Sequence, residues 1–231
     1  MKILPIIIAG SALIGTIHAA QIITPTSSTA TLASGAGTPG VNLFPAANLV
    51  DGSGLSAPPT IATYTTVTHG QASATTTAWT TDDPAPGGGD WFGEDPGNRD
   101  IFITLPLAQT YSVTDLVFWG YHFGGPNGNE AREFTVEFST DGGSNYTTST
   151  IVASALSDYA VENQTTLSFG SNFTADAIRL RVTDNHFGGT AAGGDRVGLG
   201  EVRFIGDVIP EPSSALLLGL AGGLLGLRRR R

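Results

Sequence analysis

The chain has 231 residues, with 20 acidic against 11 basic side chains, a formal charge of −9 and no cysteine. So acidic a surface excludes nucleic acid as a partner, because that binding rests on neutralising phosphates. Without cysteine there are no disulfides and no thiolate metal centres, so a hydrophobic core must hold the fold.

The chain opens as a secretory signal peptide, residues 1–20. Met1-Lys2 precedes an apolar run from Ile3 to Ile17, and His18-Ala19-Ala20-Gln21 then supplies small residues before a polar one. Cleavage is expected after Ala19 or Ala20. Residues 21–40, rich in Ser, Thr, Ala and Gly, read as a linker or leader with one strand at Gln21–Thr24. A single domain is expected over 41–206. Its first landmark is the turn signature Asn48-Leu-Val-Asp51-Gly52, followed by a short β-branched strand at Tyr64–Thr68. Trp79 to Asp100 is dense in glycine, proline and acids and reads as one long loop, of the kind that commonly carries function.

Period-two alternation then takes over. Ile101, Ile103 and Leu105 share one face, while Leu116-Val-Phe-Trp119 is apolar throughout, as in a strand covered on both sides. Phe134, Val136 and Phe138 alternate with Glu133, Thr135 and Glu137, and Asp141-Gly-Gly143 turns the chain into a hairpin. Thr165, Leu167 and Phe169 mark another strand, Ile178, Leu180 and Val182 a further one, and Glu201–Ile205 the last. There is also an internal echo. Tyr121-His-Phe-Gly-Gly125 and Asn185-His-Phe-Gly-Gly189 each end a strand and open a glycine-rich loop, which puts the two loops at one end of the domain. With no sustained helical period between residues 21 and 209, the fold class is all-β, an antiparallel β-sandwich.

The tail, residues 207–231, is built differently. Pro210 and Pro212 stop a helix from extending backwards, and Ser213 or Ser214 can cap one that starts after them. Ala215 to Leu227 has no polar side chain, so a helix here is apolar on every face, as in a core or membrane helix. Arg228, Arg229, Arg230 and Arg231 then belong on the cytoplasmic side.

That sequence of parts, Pro210-Glu211-Pro212, apolar helix, terminal arginines, resembles the PEP-CTERM sorting signal of Gram-negative bacteria. The resemblance implies export and transient anchoring in the inner membrane. It also implies processing near the Pro-Glu-Pro motif by an exosortase-type enzyme, and a destination at the cell surface or outside it, often beside exopolysaccharide. A second resemblance covers residues 41–206. Asn48-Leu-Val-Asp51-Gly52, Trp79, the Ser-Thr-Asp-Gly-Gly strand end and Val197-Gly-Leu-Gly-Glu201-Val-Arg-Phe204 look like the discoidin, or F5/8 type C, domain. That galactose-binding-like jelly-roll includes many carbohydrate-binding modules. In it a structural calcium ion commonly ties the early Asp-Gly loop to the acidic residue of the last strand. The resemblance therefore implies calcium at Asp51 and Glu201, with oxygens near Asn48, Ser53 and Ser56, a hard-oxygen set of the type calcium prefers.

Sugar binding needs aromatic platforms and planar polar groups at a loop rim. The candidates are Trp91, Phe92, His122, Asn127, Arg132, His186 and Arg196, whereas Trp119 belongs to the core. No nucleophile elbow, zincin motif or zinc-ligand spacing appears, and the acids between Asp82 and Asp95 lack the rigid support that catalytic pairs require, so no enzyme is expected. The expectation is an exported, non-catalytic carbohydrate-binding protein. The alternative is a structural matrix or adhesion protein without a specific sugar.

Overall fold

The computed structural model describes residues 19–34, 44–72, 77–81, 88–93, 99–153 and 158–210. The expected signal peptide (save its last two residues), Glu211, Pro212, the apolar run and Arg228–Arg231 lie outside the described residues. Among the described residues nine strands appear: β1 (Gln21–Ile23), β2 (Thr29–Leu32), β3 (Trp79–Thr80), β4 (Ile101–Trp119), β5 (Ala131–Ser139), β6 (Thr147–Ala153), β7 (Gln164–Asn185), β8 (Gly198–Leu199) and β9 (Glu201–Val208). The only helical elements among the described residues are two short 3-10 turns, Ala46–Leu49 and Tyr64–Thr66. No helix there is long and apolar enough to cross a membrane.

Two long strands organise the molecule. β4 and β7 pair antiparallel along most of their length, but their register slips between Pro106 and Tyr111 and again between Val113 and Asp115. Before the slips, Ile101–Pro106 lies between β2 and the second half of β7, which in turn pairs with β5 and through it β6. After the first slip, Tyr111–Trp119 lies between the first half of β7 and β9, which carries β1 on its far edge. One seven-stranded antiparallel sheet is thereby bent into two layers. Phe118 of one layer meets Phe134 of the other edge to face, with ring centroids 5.4 Å apart. Ile101, Ile103, Leu105, Leu116, Phe134, Ile178, Leu180, Val202 and Phe204 fill the space between them. The fold is an all-β sandwich, as the alternation requires.

Leu116-Val-Phe-Trp119 is buried on both sides, as expected of it. Leu116 and Phe118 enter the central core, while Val117 and Trp119 face outward against Val67 and Ile205, with Ile22, Leu55 and Tyr64 packed around them. The segment 44–72 therefore acts as a cover over this layer, and the Trp119 indole donates to the Val67 carbonyl at 2.9 Å.

Three expectations change. Residues 21–32 supply two strands of the main sheet rather than mostly linker, because Ile23 and Ala30 have core to bury. Tyr64–Thr68 is a 3-10 turn that runs into an isolated bridge, since its threonines face water and have no neighbouring strand to pair along. The segments around Leu167 and Leu180, expected as separate strands, are one strand of 22 residues.

Candidate functional site

The loop that joins β4 to β5 and the loop that joins β7 to β8 converge at one end of the sandwich. Gly128 donates its N–H to Ala192 O, and His186 to Glu130 O. The Asn129 carboxamide oxygen accepts from the N–H groups of Gly194 and Arg196, while Asn185 Nδ2 donates to the carbonyls of the same two residues. These two asparagines, one from each copy of the repeated motif's neighbourhood, close the loops on each other. Backbone polar groups that leave a sheet need such partners, and short side-chain amides supply both a donor and an acceptor.

Within this frame the two His-Phe-Gly-Gly motifs behave alike. His122 and His186 are buried, whereas Phe123 and Phe187 are 52% and 42% exposed. Each is followed by a glycine at positive φ, Gly124 at 87° and Gly188 at 72°, a conformation that suits glycine and turns the chain back after the ring. Among the described residues the exposed large hydrophobic side chains are Ile61, Phe123 and Phe187.

Beside the first motif lies a recess of about 350 Å³, lined by Gly54, Leu55, Ser56, Thr68, His69, Gly70, Gln71, His122 and Glu162. That is a volume suited to a small ligand. Phe123 leaves the chain between His122, which lines the recess, and Gly124, which sits against the amide of the lining residue Gln71. His122 accepts from Gly124 N–H at Nδ1 and therefore carries its proton on Nε2, which donates to His69 O at 3.1 Å. His69 stands edge-on to it, centroids 6.3 Å apart, and donates from Nδ1 to Gly70 O at 2.7 Å. Its Nε2 is buried without a hydrogen-bond partner and faces the α-carbon of Gly54. Burial holds the His69 imidazole neutral by lowering its pKa to about 4, against the pull of the Gly70 and Thr77 carbonyls.

Under the second motif, His186 stacks on Tyr159 with centroids 4.1 Å apart, and burial lowers its pKa as well. Glu130 is fully buried between the loops, with one carboxyl oxygen accepting from Ala160 N–H at 2.9 Å. Desolvation raises its pKa to about 8, so at neutral pH it is a carboxylic acid that fastens the loops.

The residues expected to touch a sugar divide accordingly. Trp91 and Phe92 do not form a rim: both are buried in the central core cluster, and the Trp91 indole donates to Arg99 O with the Arg99 guanidinium stacked over it. Their glycine-rich neighbourhood suggested a mobile loop, but large aromatic rings gain more from burial than from exposure. His122 lines the recess with both ring nitrogens engaged. Asn127 uses its carboxamide oxygen to accept from Asn129 N–H, Arg132 pairs with Asp184, and Arg196 donates to Thr81 O. Asn127, His186 and Arg196 do come together in the joined loops. Phe123, Phe187, His69, Gln71 and Glu162 were not singled out from the sequence. The repeated motif was the available signal for the two phenylalanines.

The donors near Glu201 do not fit a calcium ion. Glu201 is fully buried, and its Oε1 accepts from Gly52 N–H at 3.1 Å and from the Arg203 guanidinium. Both are hydrogen donors where calcium needs oxygens. Asp51 is exposed and accepts from Ser53 N–H, the Asn48 amide donates to Ala78 O, and Ser56 Oγ accepts from Thr68 N–H. Burial pushes the Glu201 carboxyl pKa up, and the adjacent Arg203 pulls it down.

No protein-family model matches the chain, and no curated protein matches it. Solved structures do. The C-terminal domain of a chitobiase from Bacteroides fragilis matches with a TM-score of 0.48 and 17% identity over 82% of this chain and 99% of that one. An F5/8 type C domain from the same organism gives 0.47 and 9%, over 82% and 98%. A family 32 carbohydrate-binding module from Clostridium perfringens, solved in complex with galactose, gives 0.46 and 14%, over 81% and 99%. These neighbours are discoidin-like domains and carbohydrate-binding modules, one of them joined to an alginate lyase domain in its own chain.

Proposed function

We propose that this is an exported, non-catalytic carbohydrate-binding protein whose sugar site is the loop end bearing Phe123 and Phe187. The observation that carries the reading is the paired exposure of these two rings at matching positions of a repeated motif, one of them next to His122, which lines a recess. Aromatic faces cover the apolar face of a sugar ring, and side-chain amides, carboxylates and imidazole nitrogens take its hydroxyls. One of the similar structures was solved in complex with galactose and another is a chitosan-binding module, which is in keeping with the reading. The jelly-roll connectivity of that group belongs to the same proposal. In the same reading the chain is carried out by its signal peptide, anchored transiently in the inner membrane through 215–227, and processed near Pro210-Glu211-Pro212 by an exosortase-type enzyme. It then sits at the cell surface or beyond it, beside exopolysaccharide.

The test is retention of the full exported protein on an array of neutral, amino and acidic glycans and on the host's own exopolysaccharide. Saturable retention on a defined sugar is expected. Absence of retention on every surface would leave a matrix or adhesion protein without a specific sugar.

A further inference from the structure

Arg203 is almost completely buried, and its position explains why the Asp51-Gly52 turn and Glu201 face each other as they do. Its Nη1 contacts Glu201 Oε1 and donates to Val202 O at 2.7 Å. Its Nη2 lies 3.6 Å from where a Cβ on Gly52 would sit, an ordinary contact distance, and the φ of 75° is what favours glycine at this turn. Gly52 then donates its own N–H to the same Glu201 oxygen. Arg203 and Asp51 together line a recess of about 240 Å³ that also takes in Leu55, Pro58 and Pro59. Among the described residues Glu201 is the carboxylate in contact with this guanidinium, and Arg203 Nε has no partner.

We propose that the Arg203 guanidinium occupies the position from which a divalent cation would join the Asp51-Gly52 turn to Glu201. The fold then carries its own counter-ion and takes no calcium there. A metal ion in that place meets an N–H from the turn and a fixed positive charge at contact distance, and of the Glu201 carboxylate only Oε2 is left without a partner, since Oε1 is already engaged. The arginine performs the same task through hydrogen bonds. It compensates the buried carboxylate at the same oxygen that accepts the Gly52 N–H. Removing it strands Glu201 without compensation, which is the costly way to break a buried pair. Glycan binding is a separate matter, and its success or failure leaves this inference where it is.

The experiment uses the full exported protein. Wild type is melted in excess calcium and in EDTA, and its metal content is measured after desalting without chelator. Arg203→Met and the double variant Glu201→Gln/Arg203→Met are melted alongside. The expected result is one Tm for wild type in both buffers, no stoichiometric calcium, and a lower Tm for Arg203→Met that the double variant partly restores. A wild-type Tm that falls in EDTA, or one calcium per chain, would overturn the proposal. So would an Arg203→Met variant that melts with wild type.

Discussion

Glu130 and His69 are buried groups of opposite kind, and each makes stability depend on pH. The Glu130 pKa rises on folding from 4.5 to about 8, so between these values the folded chain holds a proton that the unfolded chain has lost, and stability falls as pH rises. The His69 pKa drops on folding from 6.5 to about 4, so between those values the unfolded chain holds the extra proton, and stability falls as pH falls. From pH 4.5 to 6.5 the two slopes oppose each other. Between pH 6.5 and 8 the Glu130 slope of about 1.4 kcal/mol per pH unit is no longer opposed by His69, and Glu201, whose pKa burial pushes up to about 7, adds to it below that value. Urea melts across pH should therefore show a broad mildly acidic plateau and a decline above it. Glu130→Gln, which keeps the acceptor for Ala160 N–H but cannot ionise, should flatten the alkaline decline. An unchanged decline in that variant would place its origin elsewhere.

At the scale of the element, the sandwich depends on β4 and β7 passing from one layer to the other while their side chains keep facing inward. Phe134 is fully buried where the layers meet, so Phe134→Ala should cost about 3–5 kcal/mol, measurable by chemical denaturation. A loss below about 1 kcal/mol would mean that the layers are not held at this contact. The alternation at Ile101–Leu105, Phe134–Phe138 and Ile178–Val182 was legible in the sequence, because a sheet with one buried face must write its period into the chain. Their continuity was not legible. The slips at Pro106–Tyr111 and Val113–Asp115 disturb the period while the strand goes on, and local pattern cannot distinguish a slip from a turn. The site was legible in part. His-Phe-Gly-Gly was visible as an echo, but which of its residues faces water depends on the φ of Gly124 and Gly188. Trp91 and Phe92 were misplaced because the core they join, around Ile103 and Phe134, comes from distant sequence.

For the whole molecule, the proposed export and processing can be tested directly. Intact-mass analysis of the protein from its native host should show a start at Ala20 or Gln21 and loss of the arginine tail. Ala substitution of Pro210-Glu211-Pro212 should leave the tail attached, and a tail retained in wild type would remove the processing step. The central claim concerns the rim, and one measurement reaches it directly. Wild type, Phe123→Ala, Phe187→Ala and the double variant are titrated on the glycan that wild type retains best, with far-ultraviolet circular dichroism and Tm as controls for folding. Because both rings are exposed, Tm should hold within a few degrees. The account predicts roughly a tenfold or greater weakening for the double variant, of the order expected when an aromatic platform is lost. Undiminished affinity in a folded double variant would contradict it and move the sugar away from this end of the sandwich.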